Sequence, residues 1–368
     1  MTIYNYLEFV FIILFVVEVA KKNTQRRKLK FFYLESFLIL FILAFRNYDV
    51  GADSILYTSY YSNPNAYHGQ MPWGFEFFCN FLKLFSEDWQ FFIFSTSVLA
   101  AIPFLYYVKK EASIVSLPFL TFLLCWDLLW LLETPIKQTT AITFSFWGYL
   151  MLTECNSHQK LLKKLIALCL IIFGVLTHST IVLVIFIFVL LHFVRFSRKT
   201  AVIGILISVS LSSMMIIYVP SLFDRLETYA MAFQLFDNVQ NHVDDVATGL
   251  ITYDIKKFLL PSLFVILVVL MSSEEQMKSL PAKCLIAGTI IFNLFISFPN
   301  IPRVVLPFTL IGSALCPMDY RGSFKGNSIF IICAHFFMIM MFFYLHLQKC
   351  INFTTDFNND ILPYSFWF

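Results

Sequence analysis

Apolar residues in this chain come in long unbroken runs, without the alternation of a strand or the half-polar stripe of a surface helix. The runs cover approximately 3–20, 31–46, 89–108, 113–131, 135–153, 164–177, 179–194, 200–219, 256–271, 283–298, 302–317 and 328–347. Each is close to the length a helix needs to cross ~30 Å of hydrocarbon. They predict an all-α, polytopic integral membrane protein with about twelve transmembrane helices. The pair that meets at Thr177 and His178 is too long for one crossing as a continuous helix, so a tight turn is expected there.

Two segments between the runs are long, approximately 47–88 and 220–255. Within the first, the stretch from Met71 to Trp89 repeats Trp, Phe and Leu at helical spacing with sparse polar residues. That is the pattern of a helix lying in the membrane interface. The other connections are short and no Gly/Ser or Pro-rich linker occurs, so residues 1–368 read as a single membrane domain.

Composition agrees with the pattern. The 368 residues are 59% hydrophobic and 13% charged, with 45 Phe; a soluble chain carries about twice that charge fraction. A basic block follows the first apolar run instead of preceding it, which argues against a cleavable signal. The eight Cys are scattered, with no CxxC or Cys/His cluster to suggest a metal or disulfide framework. A net charge of +3 gives no footprint for nucleic acid.

The placement of charge says more than its sum. With the N-terminus outside, 18 of the 26 Lys and Arg fall on inner connections, beginning with the block from Lys21 to Lys30. The positive-inside rule then turns both termini and both long segments outward.

Against that bias, Arg46, Lys137, Arg225 and Arg303 lie at or near the outer ends of spans. Arg46 opens the stretch Arg46-Asn-Tyr-Asp-Val-Gly-Ala-Asp-Ser-Ile-Leu-Tyr57, with two carboxylates, Asp49 and Asp53, directly after the cation. At mid-bilayer an Arg costs about 2.5–3.5 kcal/mol, so Arg46 is expected near the surface or lining a polar cavity. One reading makes Arg46, Lys137 and Arg303 flank residues that snorkel to water. The other makes them a converging set for phosphate or pyrophosphate, whose oxygens match the guanidinium fork. His178, in the turn Leu176-Thr-His-Ser-Thr180, is open to two readings as well: a hydrogen-bonded turn residue, or a base facing a polar cavity. Asp127 and Glu133 are further carboxylates at membrane depth, without a partner readable from sequence. No Walker loop, GxGxxG, HExxH, GxSxG or DxD pattern stands in a suitable setting, which speaks against nucleotide-driven or metal-dependent chemistry.

At these residues the chain resembles the EpsG/Wzy-like family of polysaccharide polymerases. The resemblance rests on an Arg closing the second span and a VGxDxxxY pattern, here Arg46, Val50, Gly51, Asp53 and Tyr57. It extends to Lys137, Gln138 and Ala141, to the His178 turn, and to the late outer Arg303. Lys137 stands where the pattern suggests Arg, which puts bidentate phosphate binding at that position in question. The resemblance implies a multi-pass enzyme of the bacterial inner membrane with its active site facing the periplasm. Such enzymes join repeat units of O-antigen, capsule or exopolysaccharide, with undecaprenyl-pyrophosphate-linked glycans as donor and acceptor. Membrane lipid and a chain-length regulator are the implied partners; no cofactor and no metal are implied.

In these terms Arg46 and Arg303 hold the donor pyrophosphate, with Lys137 and Arg225 assisting, and Tyr57 and Gln138 line the substrate site. His178 is favoured as the base because a neutral imidazole is available without tuning. Asp53 is the competing base, and Asp53 and Asp49 otherwise orient Arg46 or sugar hydroxyls. A lipid-linked oligosaccharide flippase also suits twelve spans, but it is expected to show similar halves, and no internal repeat is visible. A ligase shares donor and chemistry and differs in its acceptor.

Overall fold

The computed structural model describes residues 3–20, 25–48, 50, 53–67, 71–112, 114–125, 136–153, 160–218, 256–295, 301–315 and 328–352. Asp49, Gly51, Asp127, Glu133, Arg225 and the rest of 220–255 lie outside the described residues. Among the described residues no strand occurs.

The helices fall on the apolar runs. The first two are α1 (Ile3–Ala20) and α2 (Gln25–Ala44), which begins inside the basic block. The segment 47–88 holds α3 (Ser54–Ser62), a 3-10 turn at Pro64–Tyr67, and α4 (Trp73–Lys83), the helix expected there. Then come α5 (Trp89–Glu111) and α6 (Ser116–Leu120), the latter passing into a π-turn at Thr121–Cys125. Next are α7 (Ile136–Thr153), α8 (Lys160–Thr177), α9 (Ile181–Phe193) and α10 (Arg198–Tyr218). The last four are α11 (Lys256–Met271), α12 (Leu280–Leu294), α13 (Ile301–Gly312) and α14 (Ser328–Asn352). The tight turn at His178 separates α8 from α9, as the length of the run requires.

Of the run 113–131, the described residues 116–125 are helical, as α6 and the π-turn that follows it. The N-terminal amides of α6, at Val115 and Ser116, are bound by the Glu18 carboxylate of α1 at 3.0 and 2.9 Å. A carboxylate from a neighbouring helix thus satisfies donors that a helix end leaves open. The Ser116 hydroxyl also meets Glu35 of α2, which is fully buried, so α1, α2 and α6 are joined by one polar junction.

Exposed apolar residues indicate the surroundings of the bundle. On α9, Val182, Leu183, Phe186, Val189 and Leu190 face outward while Val184, Phe188 and Leu191 are buried. A soluble monomer rarely leaves so continuous an apolar surface uncovered. Among the described residues, Trp89–Glu111 is the helix both long and apolar enough to cross a bilayer by length and composition, with mean hydropathy 1.8; shorter apolar stretches lie on α9, α11, α12 and α14.

Small residues and side-chain hydrogen bonds draw the helices together, as helix association in lipid requires. A Cβ on Gly174 of α8 would lie 1.9 Å from Ser145 Oγ of α7, and one on Gly148 of α7 would lie 2.6 Å from the Ala167 carbonyl of α8. Asn293 of α12 donates to Ser208 of α10 and Ser262 of α11 at 3.0 and 2.9 Å, tying three helices through buried polar groups.

Candidate functional site

An aromatic platform forms between the segment 47–88 and the helix ends beside it. Tyr57, Tyr60 and Tyr61 recur at helical spacing on α3 and are all buried. Tyr57 meets Phe75 of α4 at 5.3 Å between ring centroids, and Tyr61 stacks on Phe92 of α5 at 4.8 Å. Phe75 in turn meets Phe92 at 6.3 Å. Phe78 of α4 reaches Phe144 of α7 at 5.9 Å, and Phe144 reaches Phe173 of α8 at 4.9 Å. Ile136, the first residue of α7, is buried in the same cluster. Edge-to-face and stacked pairs of this kind add about 0.5–1.5 kcal/mol each beyond burial, so the platform is a firm one.

The platform gathers stretches far apart in sequence. Asp53 occupies the N-cap position of α3, where the helix dipole favours a carboxylate. Lys137 and Gln138 begin α7, with Lys137 partly exposed and Gln138 buried. Gly74 at the start of α4 abuts the end of α8: a Cβ there would lie 2.6 Å from the Thr177 amide nitrogen. Only a residue without a side chain lets α4 approach the residue before His178 so closely.

His178 itself is partly exposed. Its backbone amide donates to the Gly174 carbonyl at 2.9 Å, and its Nδ1 lies 2.8 Å from Thr180 Oγ1. The ring is therefore held by the turn, on the Nδ1 side.

Arg46 is the clearest departure from expectation. It is 1% exposed, the largest fully buried side chain among the described residues, so it is neither a hydrated helix end nor a snorkelling flank. The guanidinium folds back over the end of α2, where Nη1 donates to the Leu43 carbonyl and, at 2.8 Å, to Ser97 Oγ of α5. Ser97 donates its own hydrogen to the Leu43 carbonyl at 2.9 Å. Two turns nearer the start of α5, Gln90 Nε2 donates to the Ala44 carbonyl at 2.7 Å. The last carbonyls of α2, which a helix cannot satisfy internally, thus take their partners from α5 and from Arg46.

Tyr57, expected to touch substrate, has its ring buried against Phe75, where it locks α3 to α4. Burial raises the phenol pKa of Tyr60 and Tyr61 to about 12, with nearby Glu76 adding to the shift of Tyr60. Burial also pushes the Cys79 thiol up, so it stays neutral in the platform. Tyr61 gives its hydroxyl hydrogen to the Ser86 carbonyl, and Lys83 Nζ stands 5.4 Å from the centre of the Tyr61 ring.

Arg303 lies in the first turn of α13, and its side chain is outside the described residues, as are Asp49 and Arg225. The start of α13 follows the end of α12. That end belongs to the His178 side of the bundle, because Lys283 near the start of α12 binds the Leu191 carbonyl at the far end of α9, at 2.8 Å. Ser97 and Gln90 went unread in the sequence, although their spacing of seven puts both on one face of an apolar helix. Among the described residues, no group of three His, Cys, Asp or Glu side chains is placed to hold a metal ion.

Fold and site together define an all-helical membrane protein in which Asp53, Lys137 and the His178 turn adjoin one aromatic platform. The chain belongs to the EpsG family, whose model matches residues 29–366, nearly its whole length. The EpsG/Wzy-like resemblance carried by Arg46, Asp53 and Tyr57 is borne out, and it sets the chain among enzymes of polysaccharide biosynthesis. No curated protein and no solved structure matches it.

Proposed function

We propose that this chain is a Wzy-type polymerase, a glycosyltransferase that joins undecaprenyl-pyrophosphate-linked repeat units at the periplasmic face of the bacterial inner membrane. What supports the reading, beyond the family, is that Asp53, Lys137 and the His178 turn stand beside one aromatic platform. A sugar hydroxyl of the acceptor attacks the anomeric carbon of the donor. The new glycosidic bond forms as the bond from that carbon to the pyrophosphate oxygen breaks, and the hydroxyl proton passes to His178. Undecaprenyl pyrophosphate departs with its charge held by Arg46 and Arg303, assisted by Lys137 and Arg225. Asp53 and Asp49 orient Arg46 or the sugar, and Gln138 lines the site. The sugar–pyrophosphate bond is already activated, so positioning and charge stabilisation suffice and no cofactor takes part.

The twelve helices on the twelve apolar runs each cross the membrane in this reading, with both termini and the segments 47–88 and 220–255 outside. The contact between α1 and α14 supports an even number of crossings, since it sets the two chain ends side by side. Reporter fusions at Lys28, Lys163 and Arg198 are expected to report cytoplasm, and one at Asn241 periplasm; cytoplasm at Asn241 would overturn the orientation.

The activity is tested with the full chain in lipid nanodiscs, given lipid-linked repeat units isolated from cells that lack it. A ladder of lengthening glycan on the carrier is expected. No ladder but movement of the unit across the bilayer would mean a flippase, and transfer only to a different acceptor lipid would mean a ligase. In the same assay His178→Gln keeps hydrogen bonding but removes the base, so the ladder should collapse at normal protein level. Extension at the wild-type rate would reassign the proton acceptor.

A further inference from the structure

With both carboxyls ionised, the polar junction of Glu18, Glu35 and Ser116 would hold fewer hydrogens than its contacts require. The Ser116 oxygen lies 2.9 Å from Glu18 Oε2 and also meets Glu35 Oε1, yet a serine hydroxyl has a single hydrogen to give. One of the two contacts is therefore made by a carboxyl that keeps its own proton. Glu18 is provided for as an anion: its Oε1 accepts from the Val115 amide at 3.0 Å and its Oε2 from the Ser116 amide at 2.9 Å. Glu35 has no such donors. It is fully buried, its Oε2 has no hydrogen-bond partner, and the charge that bears on it is that of Glu18, of like sign. Ionised, it would be an uncompensated charge in the interior, which a protein avoids by keeping the group neutral.

We infer that Glu35 is a carboxylic acid at neutral pH, and that the proton it holds closes the junction of α1, α2 and α6. The Glu35 hydroxyl donates to Ser116 Oγ, and Ser116 donates to the Glu18 carboxylate. Without that proton two anions compete for one hydroxyl hydrogen, and α2 loses its hold on the start of α6. The junction is thus a latch that opens as the proton leaves. Lys28 of α2 is the cation that acts on Glu18. No titratable side chain lies on α6 itself. On α5, which also packs against α2, Lys109 stands over the Tyr33 ring and Lys110 over those of Tyr106 and Tyr107, with Glu111 at the helix end. Glu8 is paired with His346, about 15 Å further along α1. The junction lies about 30 Å along α5 from Phe92 of the platform, so the latch stands clear of the candidate site. In the proposed orientation that end faces the cytoplasm, but the inference rests on the hydrogen count and burial and not on the proposed reaction.

The test is infrared difference spectroscopy of the full chain in lipid nanodiscs at neutral pH, comparing wild type with Glu35→Gln, Glu18→Gln and Ser116→Ala. Glutamine has the shape of the protonated acid and an amide that donates to Ser116, so Glu35→Gln should fold. An ordinary glutamate, with a pKa of about 4.3, is ionised at neutral pH and gives no such signal. Wild type is expected to show the carbonyl stretch of a protonated carboxyl. Glu35→Gln should lose it, Glu18→Gln should keep it, and Ser116→Ala should move it to higher frequency by removing the acceptor. The unfolded chain releases this proton above about pH 4.3 while the folded chain keeps it, so stability falls as pH rises until Glu35 ionises. Hydrogen exchange over 114–120 should accordingly rise with pH more than in the other helices of wild type, and no more than in them in Glu35→Gln. A band lost in Glu18→Gln and kept in Glu35→Gln would put the proton on Glu18 and overturn the assignment. No band sensitive to Glu35, or one that Ser116→Ala leaves unmoved, would overturn the inference. Equal pH dependence of exchange in wild type and Glu35→Gln would remove the latch. Should Glu35→Gln not fold, the Ser116→Ala shift decides.

Discussion

Glu8 of α1 and His346 of α14 meet through Glu8 Oε2 and His346 Nδ1 at 3.0 Å, both side chains buried, so that the first helix of the chain is joined to the last. The contact closes the bundle across 338 positions of sequence. Removing one partner of a buried hydrogen bond costs about 1–3 kcal/mol. Glu8→Ala and His346→Ala should each lower unfolding stability in nanodiscs by an amount of that order. The double variant should lose clearly less than the two losses together; additive losses would show the pair to be uncoupled.

Gly74 offers a test of the contact between α4 and the His178 turn. A Cβ there would lie within 2.7 Å of Leu176 and Thr177 backbone atoms, which cannot swing away as a side-chain tip can. Gly74→Ala is expected to cost about 1–3 kcal/mol and to push α4 off the end of α8. Glycan extension should fall more than protein level does. Equal melting temperature and extension would mean that α4 is not seated against this turn.

The platform should also make the protein sensitive to alkali. Tyr60 and Tyr61 titrate near about 12 in the folded chain, against about 10 for a free phenol. Folding therefore favours their neutral forms. The stability they confer is complete below about pH 10 and is lost as pH rises from there through about 12. Absorbance of the phenolate should show Tyr60 and Tyr61 ionising later than a free phenol. The melting temperature should stay level to about pH 9 and then drop, less steeply in Tyr60→Phe. Tyr60 and Tyr61 ionising at about pH 10, as a free phenol does, would remove the effect.

Charge neutralisation by arginine, in place of a bound divalent ion, predicts indifference to chelators. Treatment with EDTA should leave the glycan ladder unchanged in rate and length. Loss of the ladder, restored by one divalent cation and not by others, would transfer that role from Arg46 and Arg303 to a metal.

The helices could be read from the chain because hydrocarbon imposes a length. Runs such as 256–271 and 135–153 begin or end within a residue of α11 and α7. The turn at His178 was equally legible, since a single helix through it would be too long. Two features were not. The α3 helix hides among polar residues, and its Tyr57, Tyr60 and Tyr61 spacing gains meaning only once Phe75 and Phe92 lie opposite. The burial of Arg46 depends on Ser97, and no local pattern around Arg46 reveals an acceptor so distant in sequence. A cation beside an apolar run looks the same whether it turns toward water or back over its own helix. The junction of Glu18, Ser116 and Glu35 was missed for a related reason: each carboxylate alone is an isolated polar residue in an apolar run, and only packing makes a cluster of them.

The close approach of α7 and α8 has a mechanical consequence. With Gly148 and Gly174 leaving no room for even one methyl group, the two helices cannot slide past each other or rotate without collision. Lys137 stands at the start of one arm and His178 just beyond the end of the other. The cation and the imidazole therefore stand on the open end of a single closely packed fork. Under the proposed function, room for a glycan would come from the opposite wall, where α4 rests against this fork through Phe77, Phe78 and Gly74.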